Sequence, residues 1–322
     1  MSPEFNLIQQ YFTRPTRHTN LSIGDDAALI SLALGMELAI STDMLVAGTH
    51  FFHDADAYQL GWKSLAVNVS DMAAMGANPK WVTLAIALPE INHVWLAEFS
   101  RGFFACADAF NVDLIGGDTT RGPLTISVQI MGEVPAGQAL KRSGAKADDD
   151  IWVSGQLGCA ALGLAHLQNK IIVDATIATT CLEALHAPQP RAALGLALRG
   201  IAHSCIDVSD GLLADLGHIL NASNLGATVH LEQIPCHAFL QARLEELTFQ
   251  QLILAGGDDY ELCFTAPKSS REVIMQLSQK LHLPLSLIGE TCINAGVEKN
   301  KLTVCCQNII LNISKKGFDH FE

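Results

Sequence analysis

The chain has 322 residues, 49% of them hydrophobic and 16% charged, with a formal net charge of −13. That is enough apolar chain for a large core with little disorder, and the negative field argues against nonspecific capture of nucleic acid or an anionic membrane. Mean hydropathy is +0.25, yet no apolar run reaches the roughly 18 residues that a membrane span needs. The opening Met-Ser-Pro-Glu-Phe-Asn lacks a basic segment ahead of an apolar one, so no secretory signal is expected. Nine cysteines include no CxxC pair, and many, such as Cys106, Cys159 and Cys263, sit in apolar surroundings. They read as small buried hydrophobes in a reducing compartment, and the expectation is a cytoplasmic α/β protein.

In chain order, residues 4–13 have helical spacing (Phe5, Ile8, Tyr11, Phe12), and Thr13–Asn20 reads as loop. Leu21–Ile30 reads as a short strand broken by Gly24-Asp25-Asp26. Glu37–Thr42 is strand-like and places Ser41-Thr42-Asp43 at its end, ahead of a Gly48-Thr-His50-Phe loop. A helix over Ala55–Met75 ends at Gly76, with Pro79 just beyond. Asn68 and Asp71 share one face of it, among apolar neighbours that make both polar groups costly unless paired. A strand at Trp81–Leu88, a helix at Val94–Phe110, a strand at Val112–Ile115 ending in Gly116-Gly117-Asp118, and a strand at Leu124–Val134 complete this half.

Glycines, charges and small residues cluster over Pro135–Asp150, which places a domain boundary there: 1–138 and 139–322. Beyond it, a strand at Ile151–Gly155 leads to a loop and helix over Gly155–Gln168, and a helix spans Arg191–Arg199. The acidic turn Asp207-Val-Ser209-Asp210-Gly211 precedes a helix to Asn221, then a strand covers Ala227–Leu231. Gly256-Gly257-Asp258-Asp259-Tyr260-Glu261 precedes a strand at Leu262–Thr265. A helix at Arg271–Leu281 and strands near Leu285–Ile288 and Leu302–Cys305 follow. Both halves repeat strand, Gly-Asp turn, helix, which argues for α/β architecture.

There is no GxxxxGK[ST], GxGxxG, HExxH or GxSxG. What recurs is carboxylate: Asp25, Asp26, Asp43, Asp71, Asp118, Asp207, Asp210, Asp258, Asp259 and Glu261. Magnesium takes oxygen ligands, commonly one or two carboxylates plus substrate phosphates, so converging acidic turns could hold several ions. Ser41, Thr42 and Ser209 add neutral oxygens, and Lys63, Arg121, Arg142 and Lys146 are candidate cations for a transferring phosphoryl group. His50 stands out for its glycine-rich acidic neighbourhood. The reading is metal-dependent phosphoryl transfer; the competing reading is that Gly-Asp pairs are ordinary turn chemistry.

Nine motifs occur in one order: Gly24-Asp-Asp-Ala, Ser41-Thr-Asp-Met, Gly48-Thr-His50-Phe, Asn68–Ala77, Gly116-Gly-Asp118, Arg142-Ser-Gly-Ala, Asp207–Gly211, Gly256-Gly-Asp-Asp-Tyr-Glu-Leu and Lys316-Gly-Phe-Asp-His-Phe. In this the sequence resembles the bacterial thiamine-monophosphate kinases, within the superfamily of ATP-binding enzymes that includes aminoimidazole ribonucleotide synthetase. The resemblance implies a two-domain synthetase-like fold: an N-terminal mixed sheet with helices that dimerises, and a C-terminal α/β domain completing the active site. It implies direct transfer of the γ-phosphoryl group of ATP to thiamine phosphate in a homodimer, with several magnesium ions and ATP as co-substrate. Metal ligands would be Asp26, Ser41, Thr42, Asp43, Asp71, Asp118, Asp207 and Asp210. ATP would meet Gly117, Asp118, Arg142 and Ser209, and thiamine phosphate would meet His50, Asp258 and Phe318. Asp71, Asp118, Arg142 and Asp210 would carry the transfer, and Asn68 would support Asp71 without a role of its own.

Three positions depart from the family pattern. Asp258 stands where Glu is usual, Phe318 where an aromatic with a polar group is common, and Cys159 where Asp is usual. Two rival readings follow from the same superfamily. Another synthetase would need a different substrate context, and a selenophosphate synthetase would need a reactive N-terminal Cys, whereas the first here is Cys106. A hydrogenase-E type maturation protein would end in a modified Cys, whereas this chain ends Asp-His-Phe-Glu.

Overall fold

The computed structural model describes residues 3–293, 301–307, 309–313 and 317–318. The chain forms two compact units, one of Met1–Met72 and Ala77–Gly137, the other of Ala73–Gly76 and Gln138–Glu322. Of the closing Lys316–Phe321 motif, only Gly317 and Phe318 lie within the described residues.

The first unit begins with a short helix, α1 (Pro3–Leu7), continued by a π turn over Ile8–Phe12. Its strands are β1 (Met36–Val46), β2 (Asn78–Leu88), β3 (Asp113–Arg121) and β4 (Thr125–Pro135), in the order β1-β4-β2-β3. Only β2–β3 is parallel, and its crossover is helix α3 (His93–Ala109), whose first turn is capped by the Asn92 side chain. Helix α2 (Ala57–Ala74) joins β1 to β2 and lies on the same face of the sheet. The two helices approach backbone to backbone: a Cβ at Gly61 would stand 2.1 Å from Phe99 O, and one at Gly102 1.9 Å from Tyr58 O. A helix-interior glycine costs about 1 kcal/mol against alanine, less than the roughly 1.5–3 kcal/mol gained by each large side chain this approach buries. Leu65, Val69, Met72, Phe99 and Phe103 fill that core against Val82, Leu84, Ile86, Ile126, Val128 and Ile130. On the opposite face, Trp81, Ile115 and Met131 are covered by Ala28, Ile30 and Leu38, while Ile40 and Met44 are each 56% exposed.

Three sequence expectations change here. Ser41-Thr42-Asp43 lie inside β1 because their partners on β4, Ile130, Gln129 and Val128, continue the ladder. β3 likewise runs through Gly116-Gly117-Asp118 to Arg121 beside β2, so neither Asp43 nor Asp118 is at a strand end. Leu21–Ile30 forms only the isolated bridges Leu21–Leu29 and Ile23–Asp25, because its apolar residues pack around Trp81 instead of extending a ladder.

The second unit has a seven-stranded mixed sheet in the order β11-β10-β7-β9-β5-β8-β6. Its strands are β5 (Asp150–Ser154), β6 (Ser204–Asp207), β7 (Leu225–His230), β8 (Leu262–Ala266), β9 (Leu285–Ile293), β10 (Leu302–Cys306) and β11 (Ile309–Ile310). The helices are α4 (Cys159–Leu167), α5 (Ala175–His186), α6 (Ala192–Leu198), α7 (Leu212–Ser223), α8 (Ala238–Gln241), α9 (Leu247–Ala255) and α10 (Arg271–Leu281). Helices α5, α8 and α9 lie outside the sequence expectations. Threonine-rich α5 has weak intrinsic preference, and its plain signal is Asp174, which accepts from Thr176 N and Ile177 N at 3.0 Å. The core joins Ile151, Val153, Leu162, Ile206, Leu216, Leu220, Val229, Ile253 and Cys263. Five cysteines are buried as expected, but Cys292 is exposed. Among the described residues no helix is long and apolar enough to cross a membrane.

Candidate active site

In the first unit the sheet sorts the acidic and hydroxyl residues by strand parity. Ser41 and Asp43 alternate with Leu45 on the helix-covered face of β1, in register with buried Ile130, Val128 and Ile126. Helix α2 brings Asn68 and Asp71 onto them. The Ser41 hydroxyl donates to Asp71 Oδ2, and Asp43 N donates to Asn68 Oδ1 at 3.2 Å. Asn68 Nδ2 in turn donates to Ser64 O at 3.1 Å, so the buried carboxamide is satisfied at both ends. Beyond β1, Gly48 takes φ +82° and His50 folds back: its Nδ1 accepts from Val46 N at 3.0 Å. That bond fixes the tautomer, leaving the proton on Nε2.

The remaining candidates of this unit are not gathered there. Asp118 lies on the far edge strand, three strand spacings or about 14 Å from β1. It is in register with Ala85, Ser127 and Met44, on the open face, and is exposed. Thr42 is on that open face too, where Gln129 Nε2 reaches its hydroxyl at 3.4 Å. Gly117 is glycine for the sheet's sake, since a Cβ would stand 1.9 Å from Leu84 O. Asp26 is exposed in the loop before β1, and Lys63 is buried on α2. Two other buried carboxylates are structural: Asp113 accepts from Arg17 N and His18 N at 2.6 Å, and Glu133 from Lys80 Nζ at 2.5 Å and Ala33 N at 3.1 Å.

In the second unit the acidic turns converge. Between β6 and α7 the chain runs beside Gly257–Glu261, with Val208 N donating to Glu261 O, Tyr260 N to Val208 O, and Asp258 N to Ser209 O, at 2.8, 2.8 and 2.9 Å. The approach excludes a side chain at Gly257, whose Cβ would stand 2.5 Å from Ser209 O. Asp258 and Tyr260 both take left-handed φ, +69° and +50°, and the Tyr260 hydroxyl donates to Asp258 Oδ1 at 3.1 Å. Phe318 N donates to Asp210 O at 3.0 Å, bringing the last described segment against the same turn. Asp207, Ser209, Asp210, Asp258 and Phe318 therefore surround one short stretch of backbone.

Two members of the carboxylate inventory are spent on holding this arrangement. Both oxygens of Asp259 accept from Gly158 N, at 3.1 and 2.9 Å, at the start of α4; burial holds its carboxyl well above the usual range. Glu261 receives Arg191 through Nε at 2.7 Å and a second guanidinium nitrogen at 2.5 Å, plus the Ser154 hydroxyl at 2.5 Å. Arg142 is exposed and elsewhere. Its carbonyl accepts from Ser223 Oγ at 3.4 Å, at the C-terminal end of 12-residue α7, roughly 18 Å from the Asp210 turn.

Sequence reasoning missed Asp215, Tyr260 and Arg191. Asp215 lies four residues after Gly211 and is 3% exposed, and its Oδ2 accepts from Ser209 N, Asp210 N and Gly211 N at 3.0, 3.1 and 3.0 Å. Burial, with Asp207 and Asp210 nearby, pushes its carboxyl up to about 7 against the opposing N–H bonds. The signal was an acid in the first turn of a helix entered through glycine.

The donor set is entirely oxygen and hard, which fits magnesium, and Ser41 with Asp71 already places a hydroxyl and a carboxylate within one hydrogen bond. Among the described residues no three His, Cys, Asp or Glu side chains are grouped as a metal site.

The N-terminal domain model of AIR synthase related proteins matches residues 24–134, and the C-terminal domain model matches 146–297. The thiamine-monophosphate kinase of Salmonella typhimurium is 45% identical over 99% of this chain and 98% of its own length. The crystal structure of the thiamine-monophosphate kinase from Stenotrophomonas maltophilia K279a is 43% identical, covers 95% of each chain and superposes with a TM-score of 0.83. AaThiL complexed with AMPPCP and TMP is 28% identical over 93% of this chain and 92% of its own, with a TM-score of 0.77. This chain belongs to the AIR synthase related proteins, in the family of the thiamine-monophosphate kinases.

Proposed function

We propose that this protein transfers the γ-phosphoryl group of ATP to thiamine phosphate, giving thiamine diphosphate and ADP. The observation that carries the reading is full-length likeness at 45% identity to a thiamine-monophosphate kinase. AaThiL, complexed with AMPPCP and TMP, supports the substrate pair. In the transfer, an oxygen of thiamine phosphate bonds to the γ-phosphorus as the bridge to the β-phosphate breaks, and ADP leaves. The acceptor oxygen is already ionised, so no strong general base is required and no phosphoenzyme forms. Alignment of two polyanions is the difficulty.

In this reading His50, Asp258 and Phe318 hold thiamine phosphate. The Nε2–H of His50 suits a phosphate oxygen, and the half-exposed Phe318 ring offers a stacking face. Gly117, Asp118, Arg142 and Ser209 meet ATP, with Arg142 on its phosphates. Asp26, Ser41, Thr42, Asp43, Asp71, Asp118, Asp207 and Asp210 would hold magnesium, which when bound neutralises charge between the two polyphosphates. The exposed Ile40 and Met44 on the uncovered sheet face support pairing with a second copy in a homodimer. An ATP-consuming step of this kind belongs in the cytoplasm.

The test is purified protein with ATP, magnesium and thiamine phosphate. Thiamine diphosphate is expected as product. No product, together with no thermal shift on adding thiamine phosphate, would overturn the reading.

A further inference from the structure

The turn between β6 and α7 depends on a residue to which the proposed ligand roles assign nothing. Asp215 is buried, and its Oδ2 takes all three N–H groups of Ser209, Asp210 and Gly211. The carbonyls of the same segment are used differently: Ser209 O accepts from Asp258 N at 2.9 Å and Asp210 O from Phe318 N at 3.0 Å. One three-residue stretch is thus held on its N–H side by a carboxylate and on its carbonyl side by two residues proposed to meet thiamine phosphate. Glycines close the alternatives. A Cβ at Gly211 would stand 2.8 Å from Ala255 C, and one at Gly317 2.6 Å from Ala214 Cβ and 2.9 Å from Asp210 O.

Gly211, at φ +126°, is the residue before α7, so Asp215 reaches back over the first helical turn to the N–H groups of the three residues that lead into the helix. Without that carboxylate, three N–H groups beside a buried core would need other acceptors, and the segment would take another path. Its carbonyls would then no longer stand where Asp258 and Phe318 find them.

We infer that Asp215 is a positioning residue for phosphoryl transfer: it sets the Ser209–Gly211 backbone, and through that backbone's two carbonyls it places Asp258 and Phe318 relative to Ser209 and Asp210. The inference rests on the proposed function, because it concerns how the nucleotide-side and thiamine-side residues of that reaction are kept in register.

The test compares Asp215→Asn, which keeps an acceptor oxygen but loses the charge, with Asp215→Ala and with His203→Ala. The last removes the 2.9 Å pair with Asp149 elsewhere in the unit and so controls for lost stability. Wild-type formation of thiamine diphosphate is measured first, and its absence would sink the function and not the positioning role. With an active wild type, Asp215→Asn is expected to stay folded by circular dichroism while KM for thiamine phosphate rises about fivefold and kcat falls about tenfold. Asp215→Ala should lose more of both, and His203→Ala should keep kcat and KM within about twofold at a comparable drop in Tm. Kinetics within about twofold of wild type in both Asp215 variants would overturn the inference, as would equal kinetic losses in His203→Ala. Hydrogen exchange on the wild type decides the matter if the variants fail to fold. Thiamine phosphate alone should protect the amides of Ser209–Gly211 together with those of Asp258 and Phe318, and protection confined to Asp258 and Phe318 would refute the coupling.

Discussion

In the second unit Asp207, Ser209, Asp210, Asp258 and Phe318 meet because backbone hydrogen bonds from Asp258 N and Phe318 N, and the carboxylate of Asp215, tie their segments together. In the first unit Asp43 and Asp118 stand on opposite edge strands of a four-stranded sheet, facing opposite sides of it. The contrast is between acids placed by loops and acids placed by strands. Loop acids are brought to one point by the chain's own bonds, before any ligand arrives. Strand acids are kept at fixed spacings by the ladder, and only Ser41, Asp43, Asn68 and Asp71 are drawn together, by one turn of α2. Preorganisation of the second kind is less complete, so under the proposed function the first unit's acids would depend more on bound ions and phosphates for their final arrangement.

This contrast predicts different failures on the two sides. Arg191→Ala strips the buried Glu261 carboxylate of a two-point partner, and Glu261 also holds Ser154 Oγ. Removal of one member of such a pair costs about 3 kcal/mol or more, so a marked fall in Tm is expected, with activity falling alongside. Calorimetry showing an unchanged Tm would mean that the second unit's loops are not held as described. Asp71→Asn should do the reverse. An amide oxygen can still accept from Ser41 Oγ, so Tm should hold while turnover falls about 100-fold, the scale of losing a charge clamp in phosphoryl transfer. Near-normal turnover would return Asp71 to a purely structural role.

The acidic loops of the second unit were more legible than the strand-borne acids of the first, although helices α5, α8 and α9 of that second unit were not. The Gly-Asp segments at Asp207–Gly211 and Gly256–Glu261 read as breaks between elements, and in the structure the chain leaves β6 after Asp207 and runs without helix or strand over 256–261, with left-handed φ at Gly211, Asp258 and Tyr260. In the first unit the same residue types misled. Ser41-Thr42-Asp43 and Gly116-Gly117-Asp118 look like strand ends, but pairing with β4 and β2 overrides local preference and draws them into the ladder. Asn68 and Asp71 were legible as one helix face, and their pairing with Asp43 N and Ser41 Oγ was not, because nothing local specifies which strand lies beneath a helix. Asp215, Tyr260 and Arg191 were missed for a related reason: each acts on backbone or carboxylate brought close only by the fold.

Smaller perturbations separate how firmly the second unit's loops are set. Tyr260→Phe removes the phenolic donor to Asp258 Oδ1 and leaves the left-handed backbone in place. A lost hydrogen bond to a carboxylate is worth about 1–1.5 kcal/mol, so KM for thiamine phosphate should rise roughly five- to tenfold with kcat little changed. An unchanged KM would show that backbone bonds alone aim Asp258. Cys236 gives the finest reading, since it follows Pro235, whose carbonyl accepts from Leu157 N at 2.8 Å beside the Gly155–Gly158 loop. Its thiol donates to Gln241 Oε1 at 3.2 Å, and burial pushes it up to about 11. A thiol with a raised pKa is neutral at pH 8, where only about one molecule in a thousand carries the reactive thiolate. Iodoacetamide followed by mass spectrometry should therefore mark exposed Cys292 well before Cys236, whose rate should climb about tenfold per pH unit toward pH 11. Fast labelling of Cys236 at pH 8 would mean that this loop opens in the folded protein, and that the second unit's acids are no better preset than those on the strands of the first.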